Sequence, residues 1–198
     1  SNYAYNGGAG DAWTTGISAA YPLIRSQGAN LNGSINYDIK SYNNRNFITD
    51  TVISAYNINN ISVGLSGNIA DSFGHGAINT GSVSLIFGHL DILATSQANY
   101  GMYQVPGSSP PIYGVVTPSN FTKLSFAASR TQQLVDDGST NLYSAVSGQF
   151  ASTNLNTAEQ IYLGGPYGVR AYPVAQSGGA QGGIFTLELR HQLQEKFT

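Results

Sequence analysis

The feature that most restricts the fold is an alternation of apolar and polar residues with a period of two. It runs through LNGSINYDIK (31–40), ISVGLSGNIA (61–70) and IFTLELRHQL (184–193), with weaker versions at 13–21, 48–57, 82–91, 121–130 and 142–151. Successive side chains point to opposite faces only in an extended strand, so the pattern predicts about eight β-strands of roughly ten residues and no helix. The sequence NINN (57–60), between two of these segments, is predicted to be a short loop.

The polar face of these segments carries few charges, which favours one all-β fold over another. Charged residues make up 9% of the chain, whereas a soluble β-sandwich exposes many Lys, Glu and Arg. Uncharged polar residues suit a face lining a water-filled lumen, and about ten residues of tilted strand cross a bilayer. We therefore predict an all-β fold, a transmembrane antiparallel β-barrel, whose lumen-facing residues include Ser34, Asn36, Ser66, Asn68, Ser147, Gln149, Thr186 and Arg190.

Aromatic residues and connection lengths agree with this interpretation. Short polar turns follow Lys40 and surround His75 and Asp137, whereas a long connection separates Asp91 from Phe121. In bacterial barrels the short turns face the periplasm and the long loops face outside. Aromatic residues near predicted strand ends, where interfacial girdles occur, are Trp13, Tyr21, Phe47, Tyr56 and Phe150.

Composition excludes several other classes of function. A net charge of −2 with eight scattered basic residues gives no surface for nucleic acid. The chain has no Cys, and its three His residues lack the spacing of metal ligands, so neither a metal nor another cofactor is expected. No set of nucleophile, base and acid stands out, and we predict that the protein is not an enzyme.

A glycine-rich stretch with one arginine is the most unusual part of the sequence. EQIYLGGPYGVRAYPVAQSGGAQGG (159–183) carries Arg170 between Val169 and Ala171. If this stretch lies inside a narrow lumen, the arginine needs a carboxylate there, because an unpaired charge is costly in such a place and a guanidinium can bind a carboxylate through two parallel hydrogen bonds. The alternative is a solvated arginine on an external loop.

The order of these segments resembles a known family. FTKLSFAASRTQQL, LYSAVSGQFASTNLNTAEQIYLGGPYGVRAYPV and GGIFTLELRHQL together resemble the barrel of TpsB-type two-partner secretion transporters, and YPLIRSQGANLNGSINYDIKSYNNRN is similar to an earlier strand pair of that family. The resemblance spans most of the chain and is most specific over 149–190.

The resemblance implies a sixteen-stranded barrel preceded by two periplasmic POTRA domains, with a motif loop between strands eleven and twelve folded into the lumen. Residues 1–198 are then strands five to twelve with the motif loop at 154–181, and the POTRA domains and last strands are absent from this chain. The motif loop latch is Val169, Arg170, Ala171 and Tyr172, with Ala171 where the family has glycine. Glu188, on the polar face of the last strand, is the nearest candidate partner for Arg170. A self-closing eight-stranded barrel is the alternative to a segment of a larger one.

The function implied by the resemblance is secretion of an unfolded exoprotein partner, of haemolysin or adhesin type, across the bacterial outer membrane. The pore is expected to be monomeric and surrounded by outer-membrane lipid. Three alternatives remain open: a relative that assembles barrels into membranes, a passive porin-like barrel, and a soluble β-rich surface adhesin.

Overall fold

The computed structural model describes residues 8–95, 117–166, 168–174 and 176–193, and these residues are almost entirely β-structure. Within them no helix is long and apolar enough to cross a membrane. The elements are β1 (Gly8–Arg25), β2 (Ala29–Asn46), β3 (Thr51–Asp71), β4 (Ala77–Thr95), β5 (Asn120–Gln133), β6 (Thr140–Ala151), a short 3-10 helix (Thr157–Glu159), β7 (Ile161–Tyr162), β8 (Gly178–Gly179) and β9 (Gly182–His191).

Seven strands form one antiparallel sheet in the order β1-β2-β3-β4-β5-β6-β9, and β7 pairs only with β8. Short turns at 26–28, 72–76 and 134–139 join strands at one end of the sheet. The opposite end carries the turn at 47–50 and the two long connections, 96–119 and 152–181. Most of the first long connection lies outside the described residues. The sheet has β1 and β9 as its edges, so the self-closing eight-stranded barrel does not form among the described residues.

The predicted eight strands of about ten residues differ from the observed strands in number and in length. Two predicted strands, 48–57 and 61–70, belong to the single 21-residue strand β3, and the NINN sequence lies in its middle. Strands β1, β2 and β4 are also longer than predicted, with 18, 18 and 19 residues. The alternation changes phase at NINN, and a change of phase looks like a turn when only the sequence is read.

The register of the strands shows which side chains share a face of the sheet, because directly opposed residues project to the same side. One row of opposed residues consists of three serines, an asparagine, an alanine and, at its edge, an isoleucine: Asn32, Ser66, Ser82, Ala127, Ser147 and Ile184. A row on the other face is apolar: Ile35, Val63, Leu85, Leu124 and Phe150. We call the first the loop face, because residues 152–181 lie on it, and the second the outer face.

The outer face exposes a wide apolar surface. Val63 is 51% exposed and Phe185 68%, values unusual for residues of a protein in water. Along β3 this surface runs over 61–69, which corresponds to roughly 20 Å of height for a strand tilted by about 40° and so matches a membrane-facing band. Further exposed members are Ile17, Ile35, Ile61, Leu65, Ile69, Phe87, Leu187 and Leu189.

Beyond this band the two faces exchange polarity. We call residues 51–60 of β3, with the residues paired to them in β2 and β4, the upper part of the sheet, and 61–71 with its partners the lower part. In the upper part Ile58 lies on the loop face and is fully buried. On the outer face of the same part, the side chains of Asn59 and His89 both bond to Asp91.

The core of the structure lies on the loop face of the upper part. Phe121 packs so closely over Gly88 that a Cβ at position 88 would collide with its ring. Tyr56 belongs to this core and stacks on Tyr42 with ring centroids 5.0 Å apart. Its predicted place in an interfacial girdle is therefore wrong, whereas Trp13, Tyr21 and Phe150 lie on the outer face. The buried cluster comprises Tyr56, Ile58, Leu90, Phe121, Ala151 and Leu155.

Candidate functional site

The connection 152–181 between β6 and β9 covers part of the loop face and contains the arginine motif. Its first residues enter the core through Leu155, which is 1% exposed. The 3-10 helix follows, and its first turn is capped by Asn156, whose Oδ1 accepts a hydrogen bond from the Ala158 amide at 2.9 Å. Short side chains with an oxygen favour such a cap because they satisfy free amides. The helix thereby turns Glu159 towards the sheet.

Glu159 binds two lysines of the sheet. Lys40 of β2 places its Nζ 2.7 Å from Oε1, and Lys123 of β5 places its Nζ 2.6 Å from Oε2. Asn60 of β3 donates its side-chain amide to Oε1 at 3.0 Å. Gln149 of β6 donates to the Glu159 main-chain oxygen at 3.1 Å. One residue of the loop therefore contacts four strands, and we call these five residues the Glu159 cluster.

The electrostatics of this cluster explain why the Glu159 carboxyl group is ionised although it is buried. The Glu159 side chain is 1% exposed, and burial alone raises the pKa of a carboxyl group. Hydrogen bonds from Lys123 and Lys40 act in the opposite direction and prevail, so the pKa of Glu159 lies below its ordinary value. Glu159 is therefore ionised at neutral pH.

Of this cluster, the sequence predicts only Gln149, as a lumen-facing residue. Glu159 opens the glycine-rich stretch, but no local pattern marks it or the two lysines as a site. A signal was available for Lys40, because it falls on the polar face of an alternating segment in a chain with few charges. A lysine on a predicted lumen wall needs a carboxylate, but nothing in the sequence showed which acidic residue the chain brings to it.

Beyond the helix, the loop is held mainly by its own backbone. The Val169 amide donates to the Leu163 oxygen at 2.7 Å, and the Gly165 amide donates to the Tyr172 oxygen at 3.1 Å. Gly165 has φ +111°, which favours glycine. Ala171 is not among the described residues with positive φ, so alanine in place of glycine is accommodated at this position.

Arg170 lies beside Glu188. Its Nη2 is 2.9 Å from Glu188 Oε1, and its side chain is 74% exposed. The other oxygen of Glu188 accepts from Arg190, at 2.8 Å from Nη2 and 3.0 Å from Nε. The Arg190 guanidinium also lies 4.0 Å from the centroid of the Tyr143 ring. Glu188 is thus shared between an arginine of the loop and an arginine of the sheet. Val169 and Tyr172 are exposed beside this contact.

The register puts the eight residues predicted to face the lumen on the loop face. Asn36 donates to the Ser62 hydroxyl at 3.0 Å, whereas Gln149 is buried under the loop. Below the loop an open cavity of about 630 Å³ is lined mainly by small and hydroxylic residues, and it includes Ser66, Asn68, Thr80, Ser82, Ser129, Ser147 and Thr186.

The described residues contain no group of three or more His, Cys, Asp or Glu side chains that could hold a metal ion. Each histidine has another contact. His75 bonds to Asp136 at 2.6 Å between two turns, and His191 bonds to Thr140 at 2.8 Å. His89 bonds to Asn120 on the outer face at 2.6 Å. Among the described residues, the site therefore consists of the ion pairs of the loop and the polar face of the sheet.

Comparisons with known proteins agree on one type of protein. The model of the family described as "Haemolysin secretion/activation protein ShlB/FhaC/HecB" matches residues 2–198. The heme/hemopexin transporter protein HuxB of Haemophilus influenzae is 25% identical over 93% of this chain and 30% of its own length. The structure of CdiB from Escherichia coli superposes with a TM-score of 0.69 at 20% identity, over 95% of this chain and 32% of CdiB. The chain therefore spans about a third of the length of these relatives.

Proposed function

Because the chain belongs to the haemolysin secretion/activation protein family, we propose that it forms part of the wall of an outer-membrane pore that secretes an unfolded exoprotein partner. The fold is that of a transmembrane antiparallel β-barrel segment. In this proposal the loop face lines the lumen and the outer face contacts outer-membrane lipid. We assign no enzymatic activity to it.

The division of the sheet into two faces carries the proposal. Small hydroxylic residues follow one another across the loop face, while large apolar residues cover the outer face. A chain in transit needs a wall that stays wet and offers no deep binding site, and a wall of Ser, Thr and Asn provides this. Hydrocarbon needs the opposite kind of surface.

We also propose where the segment lies in the whole barrel. We assign the motif loop, expected from the sequence at 154–181, to the connection between β6 and β9, which runs over 152–181. If this loop joins strands eleven and twelve of a sixteen-stranded barrel, the seven strands of the sheet are strands six to twelve rather than five to twelve. The POTRA domains and the remaining strands then belong to other parts of the protein, and the pore is a monomer.

Cysteine substitutions on opposite faces of the same strands test the lumen. The 198 residues contain no Cys, so within them an introduced thiol has no competitor. Ser66→Cys and Ser147→Cys lie on the loop face, and their chain neighbours Leu65→Cys and Val146→Cys lie on the outer face as matched controls. We expect a bulky, charged thiol reagent to block exoprotein secretion and single-channel current only through the loop-face pair. Equal block through both pairs would contradict the assignment of the lumen.

The same measurements separate the alternatives. A passive porin-like barrel conducts without any dependence of secretion on the loop-face thiols. A relative that assembles barrels shows its defect in the insertion of other outer-membrane proteins instead of in the secreted exoprotein. The apolar outer face speaks against the soluble adhesin, because such a surface aggregates in water.

The contact between Arg170 and Glu188 supports a role for the motif as a latch that holds the loop tip in the lumen. We expect Arg170→Ala to impair secretion while the barrel still inserts into the membrane. Arg45→Ala is a suitable control, because Arg45 also forms an exposed pair, with Asp11 at 3.3 Å, and is bonded to neither Arg170 nor Glu188. Normal secretion by the Arg170 variant would remove the latch from the proposal.

A further inference from the structure

We propose that Glu159 is a positioning residue that fixes the first part of the loop, 155–162, to the wall of the barrel, so that only the part beyond it can leave the wall. The Arg170 tip is then a movable arm on a fixed base. This inference rests on the proposed function only where it concerns secretion, since the attachment itself is a property of the barrel.

Several groups on the barrel wall depend on Glu159 for a partner. Its carboxylate is the partner of both Lys40 and Lys123, so withdrawal of the loop base breaks two ion pairs at once and leaves two ammonium groups on the wall without their shared counterion. Lys123 also donates to the Glu159 main-chain oxygen at 3.0 Å. Replacing Glu159 while the loop stays in place is strongly unfavourable, because both lysines then remain desolvated without a partner.

Packing beside the Glu159 cluster also holds the base of the loop. Leu155, four residues earlier, lies in the apolar core, and Gln181 at the far end of the loop donates to the Ala151 oxygen at 3.0 Å. Strands β7 and β8 pair across the neck of the loop, so its two ends are joined to each other. Polar and apolar contacts therefore hold the same short segment.

At the tip of the loop, no charged group of the described wall depends on Arg170 as its sole partner. Release of Arg170 leaves Glu188 bonded to Arg190 through two hydrogen bonds. The freed arginine is already 74% exposed, so it loses little on entering bulk water. A contact that can break without leaving a desolvated charge is suited to repeated release, and one that cannot is suited to permanent attachment.

Thiol labelling of the intact protein in outer-membrane vesicles, without exoprotein, tests the inference. Ala158→Cys reports on the base, Ala171→Cys on the exposed tip, and Ala77→Cys on a buried position remote from the loop. With Glu159 present, we expect a maleimide to label Cys at 171 quickly and Cys at 158 slowly. Glu159→Gln should raise labelling at 158 by about tenfold or more and leave 77 unchanged, since one lost buried partner frees the base.

Matched variants separate attachment from general loss of structure. Arg170→Ala should leave labelling at 158 unchanged, and Glu159→Asp should restore part of the protection. If the Glu159→Gln protein does not insert, Lys123→Gln removes one of the two pairs and should raise labelling at 158 in the same way. Unchanged labelling at 158 in the Glu159→Gln and Lys123→Gln proteins, or a parallel rise at 77, would overturn the inference. Because no secretion is measured, this result is independent of whether Arg170 proves necessary for export.

Discussion

The upper and lower parts of the sheet are formed by the same strands, but the polarity of their two faces is reversed. In the lower part the outer face is apolar and the loop face lines an open, hydroxylic cavity. In the upper part the outer face carries Asn59, His89 and Asp91, while Ile58 and Tyr56 are buried against the loop. Strands β2, β3 and β4 run through both parts. The pattern of residues along a barrel strand therefore records what lies on each side of it at each height.

This difference is the physical basis for the proposed distinction between a fixed base and a movable tip of the same loop. Its base sits where the loop face is dry, so burial makes both the apolar contacts and the ion pairs of Glu159 hard to replace. Its tip lies on the loop face beside Glu188, where water reaches Arg170. The chain neighbours of Glu188, Leu187 and Leu189, project to the opposite face and belong to the membrane-facing band. The strength of each attachment follows from its exposure.

The largest effect is expected from shortening a buried residue of the upper part. Ile58→Ala removes a fully buried side chain from the core and should lower the free energy of unfolding by about 2–5 kcal/mol. Ile61→Ala, three residues further along β3, faces the membrane and should cost less, because lipid fills the space. Denaturant titration of both variants in phospholipid vesicles compares the two parts directly. Equal losses would mean that Ile58 is not enclosed by the loop.

A charge on the outer face gives the reverse order. Leu65→Arg lies in the membrane-facing band and should cost about 2–4 kcal/mol, whereas Asn59→Arg lies beyond the band and should cost only about 0–1 kcal/mol. The same titration measures both, and the fraction of inserted protein provides a second reading. A comparable penalty at position 59 would extend the hydrocarbon contact into the upper part of the sheet.

The sequence predicted the lower part well because a single rule governs it. Where one face meets hydrocarbon and the other meets water, alternation identifies both strand and face, as Leu65 and Ser66 illustrate. The rule failed at 57–60, where Ile58 continues the strand with the faces exchanged. A pattern read for one environment cannot show the point at which the environment changes, and so a turn was predicted there.

The site was predictable only in part for a related reason. Arg170 stood out as a lone cation in a glycine-rich stretch, and Glu188 followed from its position on the polar face of the last strand. Glu159 lies 119 residues from Lys40 and 36 from Lys123 along the chain. Contacts at such separation depend on how the loop folds back over the sheet, which no local pattern contains.

Acidification should weaken the attachment of the loop base, and the loss of stability should be smaller than that caused by Ile58→Ala or Leu65→Arg. The pKa of Glu159 is lower in the folded protein than in the unfolded chain, so its contribution to stability is complete above the ordinary value of 4.5 and is lost as pH falls through the folded pKa. Because a maleimide reacts with the thiolate, the rate for Cys at 158 is divided at each pH by the rate for the exposed Cys at 171. We expect this ratio to stay low between about pH 8 and 5 and to rise only below about pH 4.5. The Glu159→Gln protein is the control, since this acid-dependent step should be missing from it. A step near pH 6 in the protein with Glu159 would mean that another group controls the base.

The smallest effect on stability is expected at the tip, although the largest effect on secretion is proposed there. Arg170→Ala removes one exposed hydrogen bond to a carboxylate that Arg190 continues to hold, so the denaturant midpoint should not shift measurably. Arg190→Ala is the informative partner, because it also removes the contact with Tyr143 and leaves Glu188 to the loop alone. A clear loss of stability in the Arg170 variant would mean that the tip is part of the fixed structure, and the distinction between a fixed base and a movable arm would then disappear. Midpoints measured for the two single variants decide this, and the double variant should lose more than the sum of the two, because Glu188 then has neither arginine.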